Sequence, residues 1–159
     1  MCIRDSHQGE GGLGLIGKDQ LEWLKKDLSS YSSSTPLVIF AHIPLWSIYP
    51  TWGWGTEDSA MVMDLLKKFG SVTVLNGHIH QTIQKIEGSI TFHTARSTAF
   101  PQANPGIGGP GPLKVPSEKL RSLLGLTEIH YWEHDHPLAI TDIPLMESIA
   151  LQENQSPNH

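Results

Sequence analysis

The sequence predicts an α/β fold built around parallel strands, and three features support that prediction. Residues 37–41 (LVIFA) form an uninterrupted apolar run, which is typical of a strand buried on both faces. Residues 71–75 (SVTVL) form a second apolar strand pattern. The segment between the two carries apolar residues at helical spacing. Strand, helix and strand in this order predict a β-α-β unit with parallel strands and a right-handed crossover.

The elements upstream of this unit are a loop, a helix and a linker. Residues 9–17 are rich in glycine and are expected to form the loop. Residues 18–28 place leucines three and four positions apart, which is the pattern of an amphipathic helix. Residues 29–35 are nearly all hydroxyl side chains, and Pro36 follows them, so they predict a surface linker.

The helix inside the β-α-β unit carries boundary signals at both ends. Thr56 is expected to cap its N-terminus, where two acidic residues complement the helix dipole. The apolar stripe continues to Phe69, and Gly70 stands where a C-terminal glycine cap belongs. Residues 45–55, which precede this helix, hold tryptophans among glycine and proline and predict an irregular loop.

The second half of the chain predicts two hairpins. Residues 82–94 form the first hairpin, which turns at Glu87-Gly88. Residues 101–116 are rich in proline and glycine and are expected to form an irregular surface loop. A short helix over residues 117–124 and a hairpin over residues 127–143 follow.

Composition excludes several classes of protein. The chain has 16 acidic and 11 basic residues and a formal net charge of -5, which argues against a nucleic-acid footprint. The single cysteine excludes a disulfide framework and a multi-cysteine zinc site. No apolar run approaches the ~20 residues of a membrane-spanning helix, so no membrane segment is predicted.

Three histidines follow the two strands of the β-α-β unit. His42 comes directly after the first strand, and His78 and His80 follow the second. Neighbouring strands lie about 4.8 Å apart, and functional groups collect at their carboxyl ends. A single histidine is usually an ordinary surface residue, but three at adjacent strand ends predict a site for a transition-metal ion.

Four further residues are expected to line this site, whereas the histidines of the C-terminal hairpin are expected to lie outside it. Asn76, Gly77, His93 and Trp46 are the candidates for the lining. The tryptophan loop either packs over the end of the sheet or forms a substrate-facing wall, and residues 101–116 are a candidate rim loop. The histidines on the C-terminal hairpin are expected to be solvated: His130, His134 and His136.

These motifs resemble those of the calcineurin-like metallophosphoesterases. Residues 40–44 (FAHIP) resemble the HxP motif of that family, and residues 76–80 (NGHIH) resemble its GHxH motif. Residues 17–24 are similar to a QLxWL helix of bacterial members, and the resemblance covers about residues 9–116. It implies a β-sandwich flanked by helices, which holds two divalent ions of Fe, Mn or Zn and hydrolyses a small-molecule phosphoester, a phosphodiester among the candidates.

The resemblance also assigns roles to the histidines. His42 and His78 would share one metal ion, and His80 would bind its neighbour. The family also has DxH, GDxxD and GNH[DE] segments, which supply a bridging aspartate and a proton-donating histidine. GDxxD and GNH[DE] are absent from this sequence, and its one D-x-H triplet, Asp5-Ser6-His7, is not assigned to the DxH segment of the family. No catalytic residue is therefore assigned here, and the chain alone is expected to be inactive.

The expected organisation follows from that absence. Residues 1–6 (MCIRDS) are interpreted as translated adapter sequence, residues 7–145 as the C-terminal part of a phosphoesterase domain, and residues 146–159 as a polar tail. The compartment, bacterial cytoplasm or periplasm, and the oligomeric state stay open. The alternative functions are a non-catalytic metal-binding module and an α/β interaction module that uses exposed tryptophans.

Overall fold

The computed structural model describes the backbone of His7–Gln8 together with residues 12–131 and 138–146. The chain divides into two compact units: residues 1–79 with 83–94, and residues 80–82 with 95–159. The predicted adapter segment, the tail beyond residue 146, His134 and His136 lie outside the described residues.

The first unit contains a four-stranded mixed sheet. Its strands, in sheet order, are β3 (Leu37–Phe40), β4 (Val72–Asn76), β6 (Ile90–Thr94) and β5 (Gln84–Glu87). β3 and β4 are parallel, as are β4 and β6, whereas β5 and β6 form the antiparallel hairpin. The predicted mixed α/β fold, β-α-β unit and first hairpin are therefore confirmed. The second sheet that would complete the predicted β-sandwich stays a prediction.

Two helices cover this sheet and build the core with it. Helix α1 (Lys18–Leu28) has the predicted bounds, and α2 (Ser59–Leu66) connects β3 to β4. Alternate strand residues point to one face, and those buried there include Ile39, Val74 and Phe92, each with no exposed surface. The helices contribute Leu24, Leu28, Val62 and Leu66 to the same cluster. Burial of each such side chain stabilises the fold by about 1.5–3 kcal/mol.

The predicted caps of the second helix are wrong. Thr56 is buried, and its hydroxyl donates to the Pro44 carbonyl (2.9 Å) instead of capping the helix. The helix begins after Asp58, whose carboxylate accepts backbone N–H groups of the segment before α1. It ends at Leu66, and the N–H of Gly70 donates to Ser33 (2.9 Å) rather than closing a helix cap.

Two other expectations differ from the structure in detail. The glycine-rich segment is not only a loop, because β1 (His7–Gln8) pairs antiparallel with β2 (Gly14–Leu15). β3 is not buried on both faces, because Phe40 is 44% exposed. β3 is an edge strand of the described sheet. The loop over residues 45–55 is irregular as predicted, and it contains one 3-10 turn, Pro50–Trp52.

The second unit contains the predicted short helix and hairpin. Helix α3 spans Ser117–Leu123, and β7 (Gly125–His130) pairs antiparallel with β8 (Ala139–Pro144). Residues 101–116 are irregular, as expected, with one isolated bridge between Gln102 and Pro112. No helix in the described part of the chain is long and apolar enough to cross a membrane.

Candidate metal centre

The structure brings His42 and His78 together in the first unit. Each lies two residues beyond the end of its strand, and the strands β3 and β4 are parallel neighbours. Their carboxyl ends therefore meet at one edge of the sheet. The two imidazole ring centroids are 5.3 Å apart, with the rings at 83° to each other. His42 is exposed and His78 is half-buried, so a ligand can reach this pair from solvent.

Asn76 holds the chain on both sides of His42. This residue, the last of β4, is buried, and its Nδ2–H group donates to the Ala41 carbonyl (2.6 Å). A second, longer contact reaches the Ile43 carbonyl (3.5 Å). Its Oδ1 atom is buried and has no hydrogen-bond partner among the described residues. Asn76 therefore acts as a positioning residue for the turn that presents His42.

Gly77 permits the close approach of the two strand ends. Its N–H donates to the His42 carbonyl (3.0 Å). A Cβ atom at this position would lie 3.3 Å from Nδ1 and 3.6 Å from Cε1 of the His42 ring. Because 3.3 Å is tighter than ordinary van der Waals contact, any side chain here would push the ring. The structure thus gives a steric reason for the glycine in the NGHIH sequence.

The backbone after Gly77 is strained at both histidines. His78 has φ 64° and His80 has φ 55°, and no other non-glycine residue in the described ranges has positive φ. Such conformations cost of order 1–3 kcal/mol and cluster at functional sites. Ile79, between them, is fully buried, and its N–H donates to Gly77 (2.7 Å). Burial of Ile79 offsets part of the strain and fixes the turn.

His80 belongs to the second unit, where the Phe100 carbonyl fixes its tautomer. Its Nδ1 atom lies 2.7 Å from that carbonyl oxygen, and its ring packs on the Phe100 ring with centroids 4.4 Å apart. A carbonyl oxygen can only accept, so Nδ1 carries a hydrogen, and the neutral ring then has its lone pair on Nε2. Metal-binding histidines commonly donate their other ring N–H to a backbone carbonyl in this way.

The remaining predicted lining residues are held by the sheet. His93 is only 2% exposed, and its Nδ1 accepts a hydrogen bond from Nε2 of Gln84 (3.0 Å). Trp46 is half-buried, and its ring lies 4.7 Å from the ring of Phe92. The contact supports the interpretation that Trp46 packs over the sheet. A role for either residue in lining the site stays a prediction.

The paired imidazoles of His42 and His78 are not by themselves a complete metal centre. Within each unit, the described residues contain no group of three or more His, Cys, Asp or Glu side chains placed to hold an ion. Two imidazoles that share a tetrahedral ion, with metal–nitrogen distances of about 2.0–2.1 Å, have centroids roughly 5 Å apart. The His42–His78 separation of 5.3 Å fits that arrangement. A T-shaped ring contact gives the same distance, so the geometry permits a shared ion without requiring one.

The second unit also contains a cavity that includes residues not singled out by the sequence. It has a volume of about 690 Å³, and Gln81, Arg96 and Lys114 are among its lining residues, with His80. The Gln81 side chain donates to the carbonyls of residues 102 and 103 (3.1 and 2.7 Å), which holds one wall in place. Residues 101–116 were expected to form a rim loop, but no local motif marks Arg96 or Lys114.

Comparisons with known proteins find similarity to solved structures, at a remote level. No protein-family model and no curated protein matches the chain. A crystal structure of a dimetal phosphatase from Danio rerio is 22% identical over 52% of this chain, with a TM-score of 0.45. The matched part spans only 27% of that protein. A likeness at this level does not establish a shared function.

Proposed function

We propose that this chain contributes histidine ligands to the metal centre of a phosphoester hydrolase. The observation that carries the proposal is the convergence of His42 and His78, at 5.3 Å between ring centroids, beyond two parallel strands. The HxP-like and GHxH-like segments containing these residues add the resemblance to calcineurin-like metallophosphoesterases. The hydrogen bond from Nδ1 of His80 to the Phe100 carbonyl also supports the proposal, because metal-binding histidines commonly donate their other ring N–H in this way.

Each residue has a definite role in the proposal. In the intact protein, with its further ligands, His42 and His78 hold one divalent ion and His80 holds a second, with Fe, Mn or Zn as the candidate metals. Asn76 and Gly77 position the His42 ring, through the hydrogen bonds and the close contact described above. When bound, such ions supply Lewis-acid stabilisation of the charge on phosphoryl oxygens. The remaining ligands and the proton donor are proposed to come from sequence N-terminal to this chain in the intact protein.

Metal titration of the purified chain tests the ligand assignment. Calorimetry with Zn²⁺ should show at most one strongly bound ion per chain, because three imidazoles without a carboxylate bridge cannot hold two ions. His42→Ala and His78→Ala should each weaken binding at least about tenfold, since loss of even an outer-shell partner costs that much. His130→Ala is the matched control, because His130 lies exposed on β7 and contacts Glu128 (3.3 Å). Equal affinity of all three variants would refute the assignment.

Hydrolysis of bis(4-nitrophenyl) phosphate and 4-nitrophenyl phosphate tests the activity. The chain alone should give no turnover, and the protein extended by its natural upstream sequence should give turnover that His78→Ala abolishes. Metal binding without hydrolysis in the extended protein would favour a non-catalytic metal-binding module. If the extended protein neither binds metal nor hydrolyses the substrates, the result would favour the α/β interaction module.

A further inference from the structure

The cavity of the second unit has the size of a small-molecule site. Its volume of about 690 Å³ falls within the range of roughly 300–1,000 Å³ that is typical of ligand pockets. Its lining comes from residues 80–82, from Arg96, from the proline- and glycine-rich segment that precedes α3 and from Leu123 of α3. The metal assignment uses only His80 of these residues, so the rest of the cavity has no role in it.

The charge of this cavity is opposite to that of the chain as a whole. The chain carries a formal net charge of -5, yet Arg96 and Lys114 line the cavity and no aspartate or glutamate is among its described lining residues. Arg96 is half-buried, and its Nη1 donates to the Ser122 carbonyl (3.4 Å), which leaves most of its five donors for a ligand. A planar guanidinium and an ammonium group that line the same cavity favour an anionic group such as a carboxylate or a phosphate.

Apolar side chains form another part of the same lining. Ile107, Leu113 and Leu123 are 67%, 41% and 38% exposed, and all three line the cavity. Large apolar residues gathered at this exposure around a concave surface are typical of a binding site for an apolar ligand surface. The cavity therefore combines cationic groups and apolar surface in one volume.

We propose that this cavity binds the organic part of the phosphoester substrate, and that this part has an apolar body carrying a second anionic group. Arg96 and Lys114 bind the anion, and Ile107, Leu113 and Leu123 contact the apolar body. The identification of the ligand as the substrate rests on the proposed function, through His80, which lines the cavity and is assigned to the metal. The binding chemistry itself needs no metal.

Binding of naphthalene probes to the complete chain in EDTA tests this proposal. The probes are 2-naphthoate, 2-naphthyl phosphate and the neutral 2-naphthamide, followed by ¹⁵N-¹H spectra and calorimetry. Both anions should bind more tightly than the amide, and the tighter of the two identifies the anion as carboxylate or phosphate. Arg96→Gln and Lys114→Ala should each weaken the anions about tenfold, the value of a charge-assisted hydrogen bond, and leave the amide unchanged.

Lys119→Ala is the matched control, because Lys119 is an exposed lysine of α3 that does not line the cavity. Leu113→Ala should weaken all three probes. Absence of saturable binding, or equal affinity of the anions for Lys114→Ala and Lys119→Ala, would overturn the proposal. Probe binding that persists while the zinc titration fails would retain the cavity as an anion site and refute the phosphoesterase assignment alone.

Discussion

Replacing Asn76 by aspartate keeps the shape of the side chain and removes both hydrogens of its amide. The 2.6 Å hydrogen bond to Ala41 then becomes a contact between two oxygen atoms in a position that is only 6% exposed. Loss of one buried partner costs about 1–3 kcal/mol, whereas the 3.5 Å contact to Ile43 is too long to add much. Asn76→Asp should therefore lower the free energy of unfolding by about 1–3 kcal/mol before any effect of charge.

Charge adds a pH dependence with a definite sign. Burial and two facing carbonyl oxygens disfavour the carboxylate, so the pKa of this aspartate should be raised in the folded state. The folded state then binds the proton more tightly, and the stability loss should grow as pH rises above the unfolded pKa. Below that pKa the protonated side chain can donate to Ala41, and part of the stability should return.

Urea unfolding followed by tryptophan fluorescence measures this effect. Trp46 and Trp54 lie in the same unit as Asn76, with Trp54 only 1% exposed, so the signal reports on the affected region. Asn104→Asp makes the same chemical change at an exposed position and should shift stability by no more than about 0.5 kcal/mol. Equal urea midpoints for the two variants, or a larger loss of stability at acid than at neutral pH, would refute the positioning role assigned to Asn76.

Two further predictions concern the neighbouring turn and the hairpin. Gly77→Ala should weaken Zn²⁺ binding about tenfold by displacing the His42 ring, with little loss of stability because that exposed ring can yield. Gly109→Ala, where an added Cβ meets no atom within 4 Å, should leave zinc affinity unchanged in calorimetry, and the same loss in both variants would contradict the steric argument. The hydrogen bond from Lys85 lowers the pKa of Glu87 in the folded state. This contact therefore stabilises the fold at pH values above the pKa of Glu87 in the unfolded chain, and the stabilisation is lost as the pH falls through the lower pKa of the folded state. Lys85→Met should raise the pKa of Glu87 in carboxyl-detected NMR titrations, and an unchanged value would contradict that origin.

Local sequence patterns were sufficient for most of the regular structure. Helix α1 has the predicted bounds because its leucine spacing is set within one stretch of chain. The parallel pairing of β3 and β4 follows from two apolar runs separated by one helix, and the hairpin of β5 and β6 from its glycine turn. The juxtaposition of His42 and His78 follows in turn, since parallel neighbours end at the same edge of a sheet.

The caps of α2 could not be predicted from local sequence. Thr56 and Asp58 are both common capping residues, but each uses its side chain on a distant segment: Thr56 on the Pro44 carbonyl and Asp58 on the backbone N–H groups of Ile16 and Gly17. A capping side chain forms its hydrogen bonds with whichever backbone groups tertiary packing places nearest, and here those groups belong to other segments. The helix start therefore moved to Ser59.

Periodicity and strand order are encoded in contiguous residues, so they were enough to predict the β-α-β unit, its parallel strand pair and the histidines that follow those strands. Three other features became visible only in the folded chain: the hydrogen bonds by which Asn76 holds the His42 turn, the tautomer that Phe100 imposes on His80, and the cavity that Arg96 and Lys114 line together. Those features depend on hydrogen bonds and surfaces formed between residues 18 to 35 positions apart in the chain. Their contacts exist only once the chain has folded, so no local pattern records them.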